Sequence, residues 1–180
     1  SDITELIQQR EQLRQQSVTD SLTGLANRRH FVVTAEAELS RTQRHQRRIS
    51  LVLLDIDQFK AINDRHGHTV GDEALRALAE ALRPLVRRED LLARVGGEEF
   101  AVLLPDTALA DAALKAEQLR AAVQALRVPT PQGAPLQLSI SLGVAQTGPS
   151  CEALTGLYAA ADRRLYRAKH LGRNQVCAAD

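Results

Sequence analysis

Leu91-Leu-Ala-Arg-Val-Gly-Gly-Glu-Glu-Phe-Ala-Val-Leu-Leu104 is the stretch that decides the fold class. Two strand-like apolar runs, 91–95 and 100–104, flank Gly96-Gly97-Glu98-Glu99, which predicts a β-hairpin. A hairpin makes at least part of the sheet antiparallel and argues against a doubly wound parallel fold. Upstream, Ile49-Ser-Leu-Val-Leu-Leu-Asp-Ile-Asp57 is a short continuous apolar run ending in carboxylates, the pattern of a buried central strand. Between the two lie a loop and short helix running through Gly67 and Gly71, then a longer helix over about 72–86. Downstream come a helix over about 109–126 and a loop with Pro129, Pro131, Gly133 and Pro135. An alternating strand at 136–145, a helix over about 151–171 and a short strand near 175–177 complete the chain. The order β-α-β-β-α-β predicts a ferredoxin-like α+β sandwich.

Two further helices precede this core. An amphipathic one over about 28–46 ends in a basic run, 41–48, which reads as a solvated helix face. The first, over about 1–16, carries Ile3, Leu6, Ile7 and Leu13 at helical spacing. A lone stripe this short cannot bury itself, so it either frays or pairs with a second copy.

The composition narrows the class. At 180 residues, with 44% hydrophobic and 25% charged, the chain suits one globular domain with a short appendage. A formal net charge of +1 gives no argument for nucleic acid or an anionic membrane, and no apolar run reaches membrane-spanning length. Cys151 and Cys177 lie far apart with no Cys/His cluster, which argues against structural zinc and for a reducing, cytoplasmic setting. With no Met and a start at Ser1, the chain is expected to be a piece of a longer protein that could itself be membrane-anchored.

No GxxxxGK[ST], GxGxxG, HExxH or GxSxG string is present, so any phosphate chemistry must rest elsewhere. Asp55 and Asp57 at a strand end, and Glu98 and Glu99 in the expected hairpin turn, converge on one sheet edge if the hairpin lies beside the first strand. Clustered carboxylates repel unless a cation intervenes, and hard oxygen ligands suit Mg²⁺ or Mn²⁺. Two such ions fit alkoxide attack on a phosphoryl group with pyrophosphate leaving. Gly96 and Gly97, lacking Cβ, permit a tight turn and backbone approach to a triphosphate. The plainer alternative is a Gly-Gly turn with a solvated Glu pair; the nearby Asp-Ile-Asp strand end disfavours it.

Specific strings then add a family resemblance. Gly96-Gly97-Glu98-Glu99-Phe100 is the GGEEF form of a signature, and Asp20-Ser-Leu-Thr-Gly-Leu-Ala-Asn-Arg-Arg29 matches DxLTGLxNRR. Asp55-Ile-Asp-Gln-Phe-Lys-Ala-Ile-Asn63 matches DIDxFKxIN, Gly67-His68 with Gly71-Asp72 matches GHxxGD, and Tyr166-Arg-Ala-Lys-His-Leu-Gly-Arg-Asn174 matches YxAKxxGRN. In this order, over about 18–177, they resemble the GGDEF family of diguanylate cyclases. The resemblance implies a palm-type fold related to class III nucleotide cyclases. It implies condensation of two GTP to cyclic di-GMP across a homodimer, with two Mg²⁺ or Mn²⁺ ions per half-site.

It also implies residue roles. Asp55, the Ile56 carbonyl and Glu98 hold metal, and Glu99 acts as general base or joins them. Asn63 and Asp72 bind the guanine edge with His68 close by. Lys60 steadies phosphate charge, and Lys169 and Arg173 grip the distal phosphates. Lysine usage supports this: against 20 Arg there are three Lys, and two of them, Lys60 and Lys169, fall on these positions. Lys115 has no motif and reads as surface. Arg87-Arg-Glu-Asp90, five residues before Gly96, matches the family's RxxD product-inhibition site. Asp2-Ile-Thr-Glu5 resembles the end of a PAS sensor domain, so residues 1–17 are expected to be a signalling linker helix and 18–180 the cyclase domain. The alternative function is a catalytically silent domain binding GTP or cyclic di-GMP; degenerate members lose the signature, the metal Asp or the lysine, and none is lost here.

Overall fold

The computed structural model describes residues 1–131, 133–149 and 151–180, with the backbone alone at 14–16 and 43. Its centre is β1 (Ile49–Ile56), every residue of which is buried. Strand β1 pairs antiparallel with β3 (Glu99–Pro105) on one side and with β4 (Ile140–Gln146) on the other. Strand β2 (Leu91–Arg94) closes the hairpin with β3, and β5 (Val176–Cys177) adds in parallel beyond β4. The order β2-β3-β1-β4-β5 contains the expected ferredoxin-like core, extended by one strand.

The continuous apolar pattern of β1 follows from helices on both faces. Val52, Leu54 and Ile56 face Phe100, Val102, Leu142 and Val144 in a core closed by α4 (His68–Leu82) and α5 (Leu109–Gln124). Ile49, Leu51 and Leu53, one step out of phase, join Ala101 and Leu103 beneath α2 (Arg28–His45) and α6 (Leu154–His170). A two-residue period thus sorts one strand between two cores. Helix α3 (Phe59–His66) leads from β1 to α4, and α1 (Asp2–Gln16) precedes the core with Ile3, Leu6, Ile7 and Leu13 exposed.

Gly143 sets how closely α6 lies on the sheet. A Cβ there would overlap the Ala161 carbonyl and the Leu165 amide, so the helix backbone rests directly on β4.

Several boundaries differ from expectation. Helix α4 starts at His68 rather than 72, after Gly67 at φ 88°, so Gly71 and Asp72 lie inside its first turns. Strand β3 starts at Glu99, which leaves the turn and joins the ladder opposite Asp55. Strand β4 starts at Ile140, because Leu136 instead bridges to Val128 across the proline-rich loop. Lys115, read as surface, is half-buried and donates to the Leu85 carbonyl at 2.6 Å, capping the short 3₁₀ turn Arg83–Leu85.

Candidate active site

Three strands place a polar row at one end of the sheet. Glu99 on β3, Asp55 on β1 and Ser141 on β4 are direct cross-strand partners, continuing the face that carries Leu53 and Ala101 further back. Opposite residues in an antiparallel pair project to the same side at about 4.5–5.5 Å, so two carboxylates are held together by the ladder itself. Helix α6 crosses above them. Its Lys169 pairs with Oδ2 of Asp55, and its Tyr158 hydroxyl donates to Oε1 of Glu99 at 2.8 Å.

The electrostatics follow from that crowding. Burial pushes the Asp55 carboxyl above its usual range, the Lys169 ammonium pulling back and Asp162 and Asp57 adding to the rise. Burial likewise raises Glu99, opposed by the Tyr158 hydrogen bond and reinforced by Asp55. Oδ1 of Asp55 is buried without a hydrogen-bond partner among the described residues. An acceptor left unpaired in such a place costs about 1–3 kcal/mol, which a cation would recover.

Asp57 does something else. It accepts from the Ser139 and Ser141 hydroxyls, both at 2.6 Å, and from the Asn174 amide at 3.0 Å. It therefore clamps β4 and the segment after α6 to the end of β1 and is spent structurally. Glu98 precedes β3, and its carbonyl accepts from the Ile56 amide at 3.2 Å, tying the hairpin turn to the strand end. Neither Gly96 nor Gly97 lies in the left-handed region. What Gly97 contributes is space: a Cβ there would touch nothing. Arg94 holds the turn by donating to the Gly97 carbonyl at 2.8 Å and to the Asp20 carboxylate at 3.2 Å. Asp20 also accepts from the Thr23 hydroxyl and amide.

The proposed guanine residues meet between α3 and α4. A Cβ on Gly71 would fall on the Asn63 side-chain oxygen, so glycine there makes room for Asn63, whose Oδ1 is buried and has no partner among the described residues. Asp72 follows directly, and His68 and Lys60 are exposed on the same two helices. Arg173, at φ 63°, lies beyond α6 and lines a cavity of about 420 Å³ with Asp57 and Asn174. The RxxD pair is preformed away from the row. Arg87 donates to both oxygens of Asp90, whose side chain is fully buried, and also to the Pro105 carbonyl and the Thr107 hydroxyl.

Sequence reasoning missed Tyr158, Ser139, Ser141 and the Asp20–Arg94 link. Only Tyr158 carried a signal, as one of two tyrosines in a chain 3% aromatic.

Among the described residues no three His, Cys, Asp or Glu side chains form a closed metal cage. Two carboxylates, an orphaned oxygen and a neighbouring backbone carbonyl suit an ion that keeps several positions for substrate oxygens, as Mg²⁺ does. A five-stranded palm-type α+β sheet with a carboxylate pair on two adjacent inner strands places the domain in the palm class. The family model "Diguanylate cyclase, GGDEF domain" matches residues 17–175, and the chain belongs to that family. It is 42% identical over 178 residues to the diguanylate cyclase DgcM of Escherichia coli, covering 99% of this chain and 42% of DgcM. The chain thus spans less than half the length of such curated relatives. Among solved structures, the GGDEF domain of DgcB from Caulobacter crescentus, in complex with c-di-GMP, has a TM-score of 0.86 at 33% identity, covering 90% of this chain and 95% of that one. The active GGEEF domain of a diguanylate cyclase from Vibrio cholerae has a TM-score of 0.79 at 33% identity, covering 85% and 96%.

Proposed function

We propose that this domain condenses two GTP into cyclic di-GMP and releases two pyrophosphates. The observation that carries the reading is the Asp55–Glu99 cross-strand pair beneath Lys169, in a chain of this family that keeps the GGEEF signature. The relatives support it: DgcM is named a diguanylate cyclase, and the Vibrio cholerae GGEEF domain is described as active.

Each 3′-hydroxyl attacks the α-phosphate of the other GTP, so two half-sites face one another in a homodimer. Asp55, the Ile56 carbonyl, Glu98 and Glu99 would hold two Mg²⁺ or Mn²⁺ ions per half-site, which when bound supply Lewis-acid charge at the α-phosphate and acidify the attacking hydroxyl. Glu99 takes the hydroxyl proton or joins the metal ligands; both uses need its carboxylate beside Asp55. Lys169 exchanges Asp55 for the distal phosphates, joined by Arg173, and Lys60 balances the charge. Asn63 offers its free oxygen, and Asp72 its carboxylate, to guanine N–H donors, with His68 alongside; Gly96 and Gly97 leave room for the triphosphate. Arg87 and Asp90 bind product as an inhibitor. Residues 18–180 form the cyclase unit, and 1–17 a linker helix that pairs two copies. Catalysis takes place in the cytoplasm; no helix among the described residues is long and apolar enough to cross a membrane.

The test is incubation of concentrated protein with GTP and Mg²⁺ and chromatographic identification of the product. Cyclic di-GMP from GTP but not from ATP is expected, with turnover about 10²-fold lower in Glu99→Gln. Cyclic GMP alone, or no product, would overturn the reading.

A further inference from the structure

We propose that Tyr158 is a positioning residue for this reaction: its hydroxyl pins Oε1 of Glu99 and leaves Oε2 as the single oxygen free to act. The inference rests on the role given to Glu99 above. A glutamate has three side-chain torsions, and one at a strand end would sample several orientations before metal and nucleotide arrive. Here one oxygen is occupied. The Tyr158 hydroxyl donates to Oε1 at 2.8 Å, and Oε2 accepts no hydrogen bond among the described residues.

The donor is itself well anchored. Tyr158 sits on α6 between Leu157, which is fully buried, and the point where Ala161 and Leu165 rest on Gly143. Its ring is half-buried and packs against the core that contains Phe31 and Leu157, which holds the hydroxyl in place. A phenol hydroxyl that faces a carboxylate oxygen at 2.8 Å is the donor of the pair. Partners of this kind, which orient a ligating or basic carboxylate without touching substrate, typically change metal affinity or activity by 10–100-fold.

The test compares wild type, Tyr158→Phe, Glu99→Gln and the double variant. Turnover and KM for GTP are measured together with Mn²⁺ affinity, by electron paramagnetic resonance, in the presence of the unreactive α,β-methylene analogue of GTP. Phenylalanine keeps the ring and its packing and removes only the donor. Tyr158→Phe is expected to lower kcat about tenfold and weaken Mn²⁺ binding, with KM for GTP within about twofold of wild type. In the Glu99→Gln background it should add little, because the two groups act as one unit. Unchanged kcat and Mn²⁺ affinity in Tyr158→Phe, or an equal loss on top of Glu99→Gln, would overturn the positioning role and leave the cyclase reading intact. Weakened Mn²⁺ binding in Tyr158→Phe, with no cyclic di-GMP from wild type, would uphold the positioning role and remove the assigned product instead.

Discussion

Asp20 shows how one side chain ties the entry of the domain to its reactive turn. Burial alone would raise its carboxyl, but the Thr23 hydroxyl and amide and the Arg94 guanidinium outweigh that and hold it below the usual 3.8. A carboxylate depressed in the folded state adds stability above its unfolded pKa and loses it as pH falls through the folded value. Asp20→Asn should therefore be less stable than wild type at pH 7, and the gap should close on acidification below about 3.8. Denaturant midpoints measured from pH 7 to pH 3 check this, and a constant gap would mean that the carboxylate charge is not what matters. Gly71 is the second telling residue. Gly71→Ala would drive Asn63 from its place, so KM for GTP should rise about tenfold or more, the size of one lost hydrogen-bond pair, while the fold persists. Asn63 was legible from its motif. The reason its neighbour is glycine was not, because that contact exists only once α3 and α4 meet.

At the scale of elements, α6 is the organiser, since it delivers Tyr158 and Lys169 to a row built by three strands. Its seat is Gly143. A methyl group there must push the helix backbone outward, so Gly143→Ala should cost about 1–3 kcal/mol of stability and lower activity further by lifting Lys169 and Tyr158 off the row. Thermal unfolding and turnover measured on one preparation separate the two effects; an unshifted melting temperature would contradict the close approach. The hairpin is the second such element. Arg87 saturates Asp90 in the segment leading into β2 and reaches the carbonyl of Pro105 at the end of β3. Arg87→Ala should relieve product inhibition and keep the initial rate. It should also lower stability by about 1–3 kcal/mol, because Oδ1 of the buried Asp90 side chain loses its donors while Oδ2 keeps the Arg87 backbone amide at 2.7 Å. Lost initial rate with inhibition unchanged would place Arg87 in the active site or the fold instead.

For the whole molecule, the proposed reaction joins two nucleotides, and on that reading a single copy offers one half-site. Specific activity should therefore climb with protein concentration and then level off. Ile3, Leu6, Ile7 and Leu13 are each more than 60% exposed and are the seam proposed between copies. Replacing Leu6 and Ile7 with Glu should shift the rise to roughly tenfold higher concentration while leaving the plateau rate alone. A rate per subunit that is flat from dilute to concentrated protein would rule out the dimer requirement.

By itself the sequence determined the element order, the antiparallel hairpin, the buried central strand and the motif residues. Local periodicity, glycine placement and short strings encode those directly. Tertiary structure decided which carboxylates work together. By local pattern alone Asp55 and Asp57 look equivalent at the end of one apolar strand, yet Asp55 stands beside Glu99 while Asp57 is consumed by Ser139, Ser141 and Asn174. Those partners lie 82, 84 and 117 residues away along the chain, and only the packing of β4 and α6 against β1 brings them within bonding distance. The same holds for Tyr158 and Glu99, 59 residues apart. A hydrogen bond across that separation leaves no periodic trace in the chain, because register and helix seating, not local propensity, choose the partner.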